Sequence, residues 1–169
     1  NGHIEVLTGL GVGSEFIVYL PAETMDGPPV SQTLELPAKE VQVFAKVMVV
    51  DDEAAIVAVF TELLEKIGCK VTGLTSSTEA LRLFRANPYC VDLVITDQTM
   101  PDLIGTDLAR QMLSLRADIP IIMSTGYSAS VDEDTALKLG LRQLLIKPVP
   151  AKVLLEAVAR QLEPKTRLH

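Results

Sequence analysis

Between Lys46 and Leu162, short unbroken apolar runs alternate five times with apolar stripes at helical spacing, a pattern that few architectures accept. Val47–Val50 is the first run. Ile56, Val57, Phe60, Leu63, Leu64 and Ile67 follow on one helical face, and Gly68 marks its stop. Lys70–Leu74 reads as a weaker strand. Ser76 with Glu79 three residues on forms a capping box, and Ala80, Leu81 and Phe84 continue that helix. Val91–Thr96 and Ile119–Ser124 are further strands, separated by a helix through Leu108, Met112 and Leu115. Ser130 with Asp132–Asp134 opens a fourth helix that Gly140 closes, its acids well placed against the helix dipole. Leu144–Ile146 is the last short strand, and Val153, Leu154, Ala157, Val158 and Leu162 form the final stripe. Five βα units in ~120 residues predict an α/β domain, with strands that run parallel and are covered on both faces.

The preceding residues have a different texture. Residues 1–44 hold six acids and one base, Lys39, whereas the remainder of the chain, 16 acids against 14 bases, is nearly balanced. From Ala22 to Val43 there is no sustained periodicity, and Pro28, Pro29 and Pro37 sit among Gly27, Ser31 and Thr33, so residues 23–44 read as a linker. Before it, Glu5–Thr8 and Glu15–Leu20 read as two short strands around Gly9, Gly11 and Gly13. A lone hairpin is marginal in water, so residues 1–22 are expected to belong to a domain whose larger part lies elsewhere. Phe16, Ile17, Val18 and Leu20 would present apolar surface and a strand edge, which allows pairing with a second copy as a homodimer.

Composition excludes several classes. A formal charge of -7 and 4% aromatic residues argue against a nucleic-acid partner. Cys69 and Cys90 are too few for a disulfide framework or a four-cysteine zinc site. No run reaches the ~20 apolar residues of a membrane span, and the opening residues lack the layout of a signal peptide. A soluble cytoplasmic protein, with no membrane contact by this stretch, is the expectation.

In an open parallel sheet, ligands bind beyond the carboxyl ends of the strands. Asp51, Asp52 and Glu53 follow the first predicted strand, Asp97 the third, Thr125 the fourth and Lys147 the fifth. Carboxylates gathered at one sheet end repel one another and call for a cation. Mg²⁺ suits them, as a hard ion that keeps sites for water and phosphate oxygens. Lys147 and Thr125 suit a phosphoryl group, as point charge and donor, and a carboxylate such as Asp97 is an accepted nucleophile. The residues therefore predict Mg²⁺-dependent phosphoryl transfer to Asp97. Each alone has a blander reading: Asp51-Asp52 as a helix cap, Asp97 as a turn-former before Pro101, Thr125 as turn chemistry, Lys147 as surface charge, Tyr127 as packing. Only the constellation lifts them.

Val49-Val50-Asp51-Asp52-Glu53, Asp97-Gln98-Thr99-Met100-Pro101 with Gly105, Ser124-Thr125-Gly126-Tyr127 and Lys147-Pro148 together resemble the response-regulator receiver family across about residues 45–165. The resemblance implies a doubly wound, flavodoxin-like fold with a five-stranded parallel sheet in the order 2-1-3-4-5. It implies that Asp97 is the phosphoacceptor, that Asp52 and Asp97 bind Mg²⁺ directly and Asp51 through water, and that the Thr99 carbonyl adds a ligand. Thr125 and Lys147 would hold phosphoryl oxygens, and Lys147–Pro148 would be cis. The donor would be a phosphohistidine domain of a histidine kinase, and the later acceptor water or a histidine phosphotransfer protein. Gly2-His3-Ile4-Glu5-Val6 and Gly11-Val12-Gly13-Ser14-Glu15-Phe16-Ile17-Val18-Tyr19-Leu20-Pro21 are similar to the last strands of the histidine-kinase ATP-binding domain. That likeness implies a C-terminal piece of a hybrid sensor kinase that does not bind ATP by itself, its parent free to be membrane-anchored by an absent region.

Two departures stand out. Leu144 occupies the position, three before the Lys, where the family usually has an aromatic switch residue, and Thr99 sits where a side chain can steer attacking water. Leu144 keeps open a regulatory docking module as the alternative to a relay. A haloacid-dehalogenase-type phosphatase would need a second Asp where Thr99 stands. His3 and His169, the only histidines, lie at a strand start and the last residue, so neither reads as a phosphodonor. Too few residues follow Leu162 for a DNA-binding domain, so direct transcriptional output is not expected.

Overall fold

The computed structural model describes residues 2–9, 11, 13–20, 44–126 and 133–162. The chain divides into two compact units, Asn1–Glu35 and Leu36–His169. Tyr127, Ser130, Asp132 and His169, residues 21–22 and residues 23–43 of the expected linker lie outside the described residues.

In the first unit, β1 (His3–Gly9) and β2 (Gly13–Tyr19) form an antiparallel hairpin paired from His3↔Tyr19 to Gly9↔Gly13. Both strands begin two residues before the expected ones because the pairing runs from Gly9↔Gly13 at the turn to His3↔Tyr19, whose rings stack 6.0 Å apart. Opposed residues share a face, so Ile4, Val6, Phe16 and Val18 lie together, each more than half exposed. The other face is mixed: the Tyr19 hydroxyl donates to Glu5 Oε2 at 3.4 Å.

The second unit holds the predicted alternation. Its elements are β3 (Lys46–Val50), α1 (Ala54–Lys66), β4 (Lys70–Leu74), α2 (Ser77–Ala86), β5 (Leu93–Asp97), α3 (Gly105–Leu115), β6 (Ile121–Thr125), α4 (Glu133–Lys138), β7 (Gln143–Ile146) and α5 (Ala151–Leu162). The five strands form one parallel sheet in the order β4-β3-β5-β6-β7, which is the expected order 2-1-3-4-5. Every residue of the inner strands β5 and β6 is buried, while the edge strands β4 and β7 keep exposed positions.

Alternate side chains of each strand enter opposite layers. Met48, Val50, Val94, Ile121 and Met123 pack with Phe84 of α2, Leu108 and Met112 of α3 and Ala136 of α4. Val47, Val49, Leu93, Ile95 and Ile122 pack with Phe60 and Leu64 of α1 and Leu154 and Val158 of α5. The fold is thus the doubly wound α/β sandwich expected. Gly68 and Gly140, read as helix stops, take φ of +92° and +86°, where a side chain would be strained.

Several details differ from expectation. Ser76 Oγ accepts from Glu79 N at 3.3 Å, but Glu79 turns forward to Arg82 instead of completing the box. An Arg three residues on offers a bidentate charged partner that the Ser76 amide cannot match. Leu115 and Val153, expected on buried stripes, are substantially exposed near helix ends. Strands β5 and β6 each begin two residues later and end one residue later than predicted, so Asp97 and Thr125 are last strand residues, not the first beyond.

Candidate functional site

Strand geometry assembles the site. The Asp51 amide donates to the Leu74 carbonyl at 3.2 Å, Gln98 N to Ser124 O at 2.9 Å, and Lys147 N to Thr125 O at 2.8 Å. These bonds extend the ladder past the strand ends and fix where Asp51, Asp97 and Lys147 leave the sheet. Asp97 stands beside Ser124 in register, and Thr125 beside Ile146.

Lys147 Nζ lies 2.8 Å from Asp51 Oδ2 and 2.9 Å from Asp97 Oδ1, with Glu53 Oε1 3.8 Å away. Both aspartates are buried, at 2% and 4% exposure, so the ammonium bridges two carboxylates withdrawn from water. The other oxygens are held by main chain: Glu53 N donates to Asp51 Oδ1 at 3.0 Å and Thr99 N to Asp97 Oδ2 at 2.7 Å. Ser124 Oγ lies 3.4 Å from Asp97 Oδ1. Burial drives the Asp51 pKa upward, and the hydrogen bonds from Lys147 and the Glu53 amide only partly counter it. Burial alone would lower Lys147, but its bonds to Asp51 and Asp97 prevail and raise its pKa.

The phosphoacceptor candidate is set against α3. Gly105 N donates to the Gln98 carbonyl at 3.0 Å. A Cβ on Gly105 would stand 2.2 Å from the Asp97 carbonyl oxygen, so only glycine fits. The N-cap of α3, Ile104, offers no side-chain acceptor; Gln98 Oε1 accepts from Thr106 N at 3.0 Å instead. Lys147–Pro148 is cis.

The expected residues meet only in part. Asp51, Asp97 and Lys147 converge. Thr125 is buried beside them, but its Oγ1 donates to the Gly126 carbonyl at 3.3 Å. Asp52 is exposed, and Thr99 reaches Asp97 through its amide. Among the described residues no three His, Cys, Asp or Glu side chains are grouped to hold a metal ion. The expected cluster of carboxylates is instead spread by Lys147, which takes the place between Asp51 and Asp97 that sequence reasoning left for a cation alone. The donor set still suits a hard cation: Asp51, Glu53 and Asp97 surround a single ammonium, so the carboxylates outnumber the one cation beside them, and Asp52 follows Asp51 in the chain.

Sequence reading missed Ser124 and Gln98 as site residues. Register is the signal for the first, since Ser124 pairs with Asp97 on the neighbouring strand. Leu144 is half-buried against the Met123-side core. Among the described residues no helix is long and apolar enough to cross a membrane.

Comparison with known proteins agrees with this geometry. The family described as the response regulator receiver domain matches residues 47–159. The chain is similar to the probable transcriptional regulator ycf27 of Porphyridium aerugineum, 37% identical over 110 residues, covering 64% of this chain and 44% of that protein. It is likewise similar to the sensory transduction protein RegX3 of Mycobacterium tuberculosis, 33% identical over 113 residues, covering 66% and 48%. The chain spans less than half the length of these relatives. A response regulator receiver domain protein from Clostridium thermocellum superimposes with a TM-score of 0.67 at 37% identity, covering 70% of this chain and 94% of that one. The chemotaxis protein CheY4 of Vibrio cholerae does so with a TM-score of 0.63 at 26% identity, covering 70% and 99%. With its sheet order, its bridged aspartates and this match over most of its length, the chain belongs to the response regulator receiver family of two-component systems.

Proposed function

We propose that this domain takes a phosphoryl group from a phosphohistidine onto Asp97, in the cytoplasm, as the receiver part of a hybrid sensor histidine kinase. The observation that carries the transfer is Lys147 Nζ, near-equidistant from Asp51 and Asp97 at the carboxyl end of the sheet. A carboxylate oxygen of Asp97 attacks phosphorus, the P–N bond breaks, and its electron pair stays on the departing imidazole nitrogen. Lys147 and Thr125 face the phosphoryl oxygens, so Lys147 exchanges the Asp97 oxygen for one of theirs and Thr125 turns from Gly126. Asp52, Asp97 and the Thr99 carbonyl would hold Mg²⁺, with Asp51 acting through water. When bound, the ion neutralises negative charge around the transferring group. Such catalysis consists of positioning and electrostatics.

Incubation with acetyl phosphate and Mg²⁺, read by intact mass, should give one base-labile adduct. Asp97→Asn should abolish it. A wild-type chain that stays unmodified, and that also fails to bind beryllium fluoride with Mg²⁺, would refute the transfer and favour a docking module, the reading that Leu144 supports by putting no aromatic ring at the switch position.

The hybrid-kinase context rests on the hairpin: its Gly-x-Gly-Ser turn and its apolar Ile4, Val6, Phe16 and Val18 face suit the last strands of a larger ATP-binding sheet. A longer native chain that, given labelled ATP, acquires no label on histidine would overturn it. A later histidine phosphotransfer protein belongs to the same proposal.

A further inference from the structure

Asp97 Oδ1 has two side-chain donors, and only one of them is needed for the phosphoryl group. Lys147 Nζ is 2.9 Å away and Ser124 Oγ 3.4 Å away. Ser124 is 1% exposed, and its hydroxyl has a second acceptor, the Thr96 carbonyl, at 3.5 Å. Both contacts are long and nearly equal, so the hydroxyl is shared weakly between the two acceptors and re-aims its proton by rotation about the Cβ–Oγ bond. Thr125 does not share this contact: its hydroxyl donates to the Gly126 carbonyl and not to Asp97.

We propose that Ser124 is a positioning residue, a hydroxyl rotor that takes over Asp97 Oδ1 when Lys147 leaves it for a phosphoryl oxygen. This rests on Asp97 being the phosphoacceptor. A buried carboxylate oxygen stripped of its donor carries a desolvation penalty that would oppose the departure of Lys147. Ser124 removes that penalty because it stands in register beside Asp97 and needs no backbone movement to reach it. Its contribution appears only while Lys147 is away from Asp97, so it belongs to the rate of transfer and not to the binding of the donor.

The test uses the whole chain with acetyl phosphate as donor. In that reaction the Asp97 oxygen forms a bond to phosphorus, the P–O bond breaks and acetate leaves with its electron pair. Initial rates across acetyl phosphate concentrations at saturating Mg²⁺ separate the maximal rate from the half-saturating concentration. Ser124→Ala should lower the maximal rate about tenfold, the loss expected for one hydrogen bond, with the half-saturating concentration unchanged. Ser124→Thr, which keeps the hydroxyl, should restore most of it. Ser124→Cys, close in volume with a weaker donor, should fall between and decides the matter if the alanine variant does not fold. Equal rates in wild type and in Ser124→Ala, or in Ser124→Cys should that variant have to decide, would overturn the proposal. So would a Ser124→Thr variant as slow as Ser124→Ala. A wild type that takes no phosphoryl group would remove the reading of Asp97 itself, an outcome distinct from both.

Discussion

Arg116 and Lys147 are the organising cations at the two ends of the parallel sheet, and they are used differently. Arg116 follows α3 and donates to the carbonyls of Val91 at 2.8 Å and Pro88 at 3.3 Å, pairs with Asp118 at 3.1 Å, and lies 5.1 Å from the Tyr89 ring centre. Nearby, Asp92 Oδ2 accepts from Lys46 N at 2.8 Å. Acceptors and donors there match, and the exposed Asp118 has its pKa lowered by Arg116. At the other end Lys147 serves two buried carboxylates, and Asp51 is left with a raised pKa. One end is closed electrostatically. The other has two buried carboxylates against one ammonium, an imbalance that favours a further cation and fits the reactive role proposed for Asp97.

Four substitutions sharpen this comparison. Lys147→Ala should have the largest effect on stability, about 3 kcal/mol in chelator, because it leaves Asp51 and Asp97 facing each other without a cation. Added Mg²⁺ should recover more of the melting temperature in this variant than in wild type; equal recovery would contradict the excess-charge account. Gly105→Ala should cost about 2–3 kcal/mol in urea unfolding and slow phosphorylation as well, since the added methyl must push the Asp97 main chain aside. Arg116→Ala should cost about 2 kcal/mol through its two stranded carbonyls and leave the phosphorylation rate where it was. A change in that rate would show the two ends to be coupled.

The smallest effect belongs to Asp51→Asn. A folded pKa above the unfolded one means that Asp51 stabilises the fold while protonated, below its ordinary value near 3.8, and that this contribution is lost as pH rises through the raised folded value. With chelator present, the variant should therefore gain on wild type at neutral pH, and the gain should fade on acidification. A gap that widens toward pH 4 would reverse the sign assigned to Asp51.

The alternation of strands and helices was legible because parallel strands buried on both sides read as apolar runs, whatever their neighbours. Asp51, Asp97 and Lys147 were legible for a related reason: polar residues at the ends of such runs have few structural uses. Strand ends were not, because Asp97 and Thr125 owe their last ladder bonds to partners on other strands. Ser124 looked like strand filler until register set it beside Asp97. Glu79 illustrates a local competition that spacing alone leaves undecided, between an amide behind it and Arg82 ahead. In the hairpin, periodicity located the strands but carried no information about what covers their apolar face.

The close seat of Gly105 against the Asp97 carbonyl has a mechanical consequence. Gln98, next in sequence to Asp97, is bound by its amide to β6, by its carbonyl to Gly105 and by its side chain to Thr106. Asp97 therefore sits on an anvil: the end of β5 is pinned to the start of α3 and to β6. Were Asp97 to take a phosphoryl group as proposed, the groups left to respond would be the Lys147 ammonium after β7 and the hydroxyls of Ser124 and Thr125 on β6. On that proposal the response would leave sideways across the sheet, while Asp97 itself stays still.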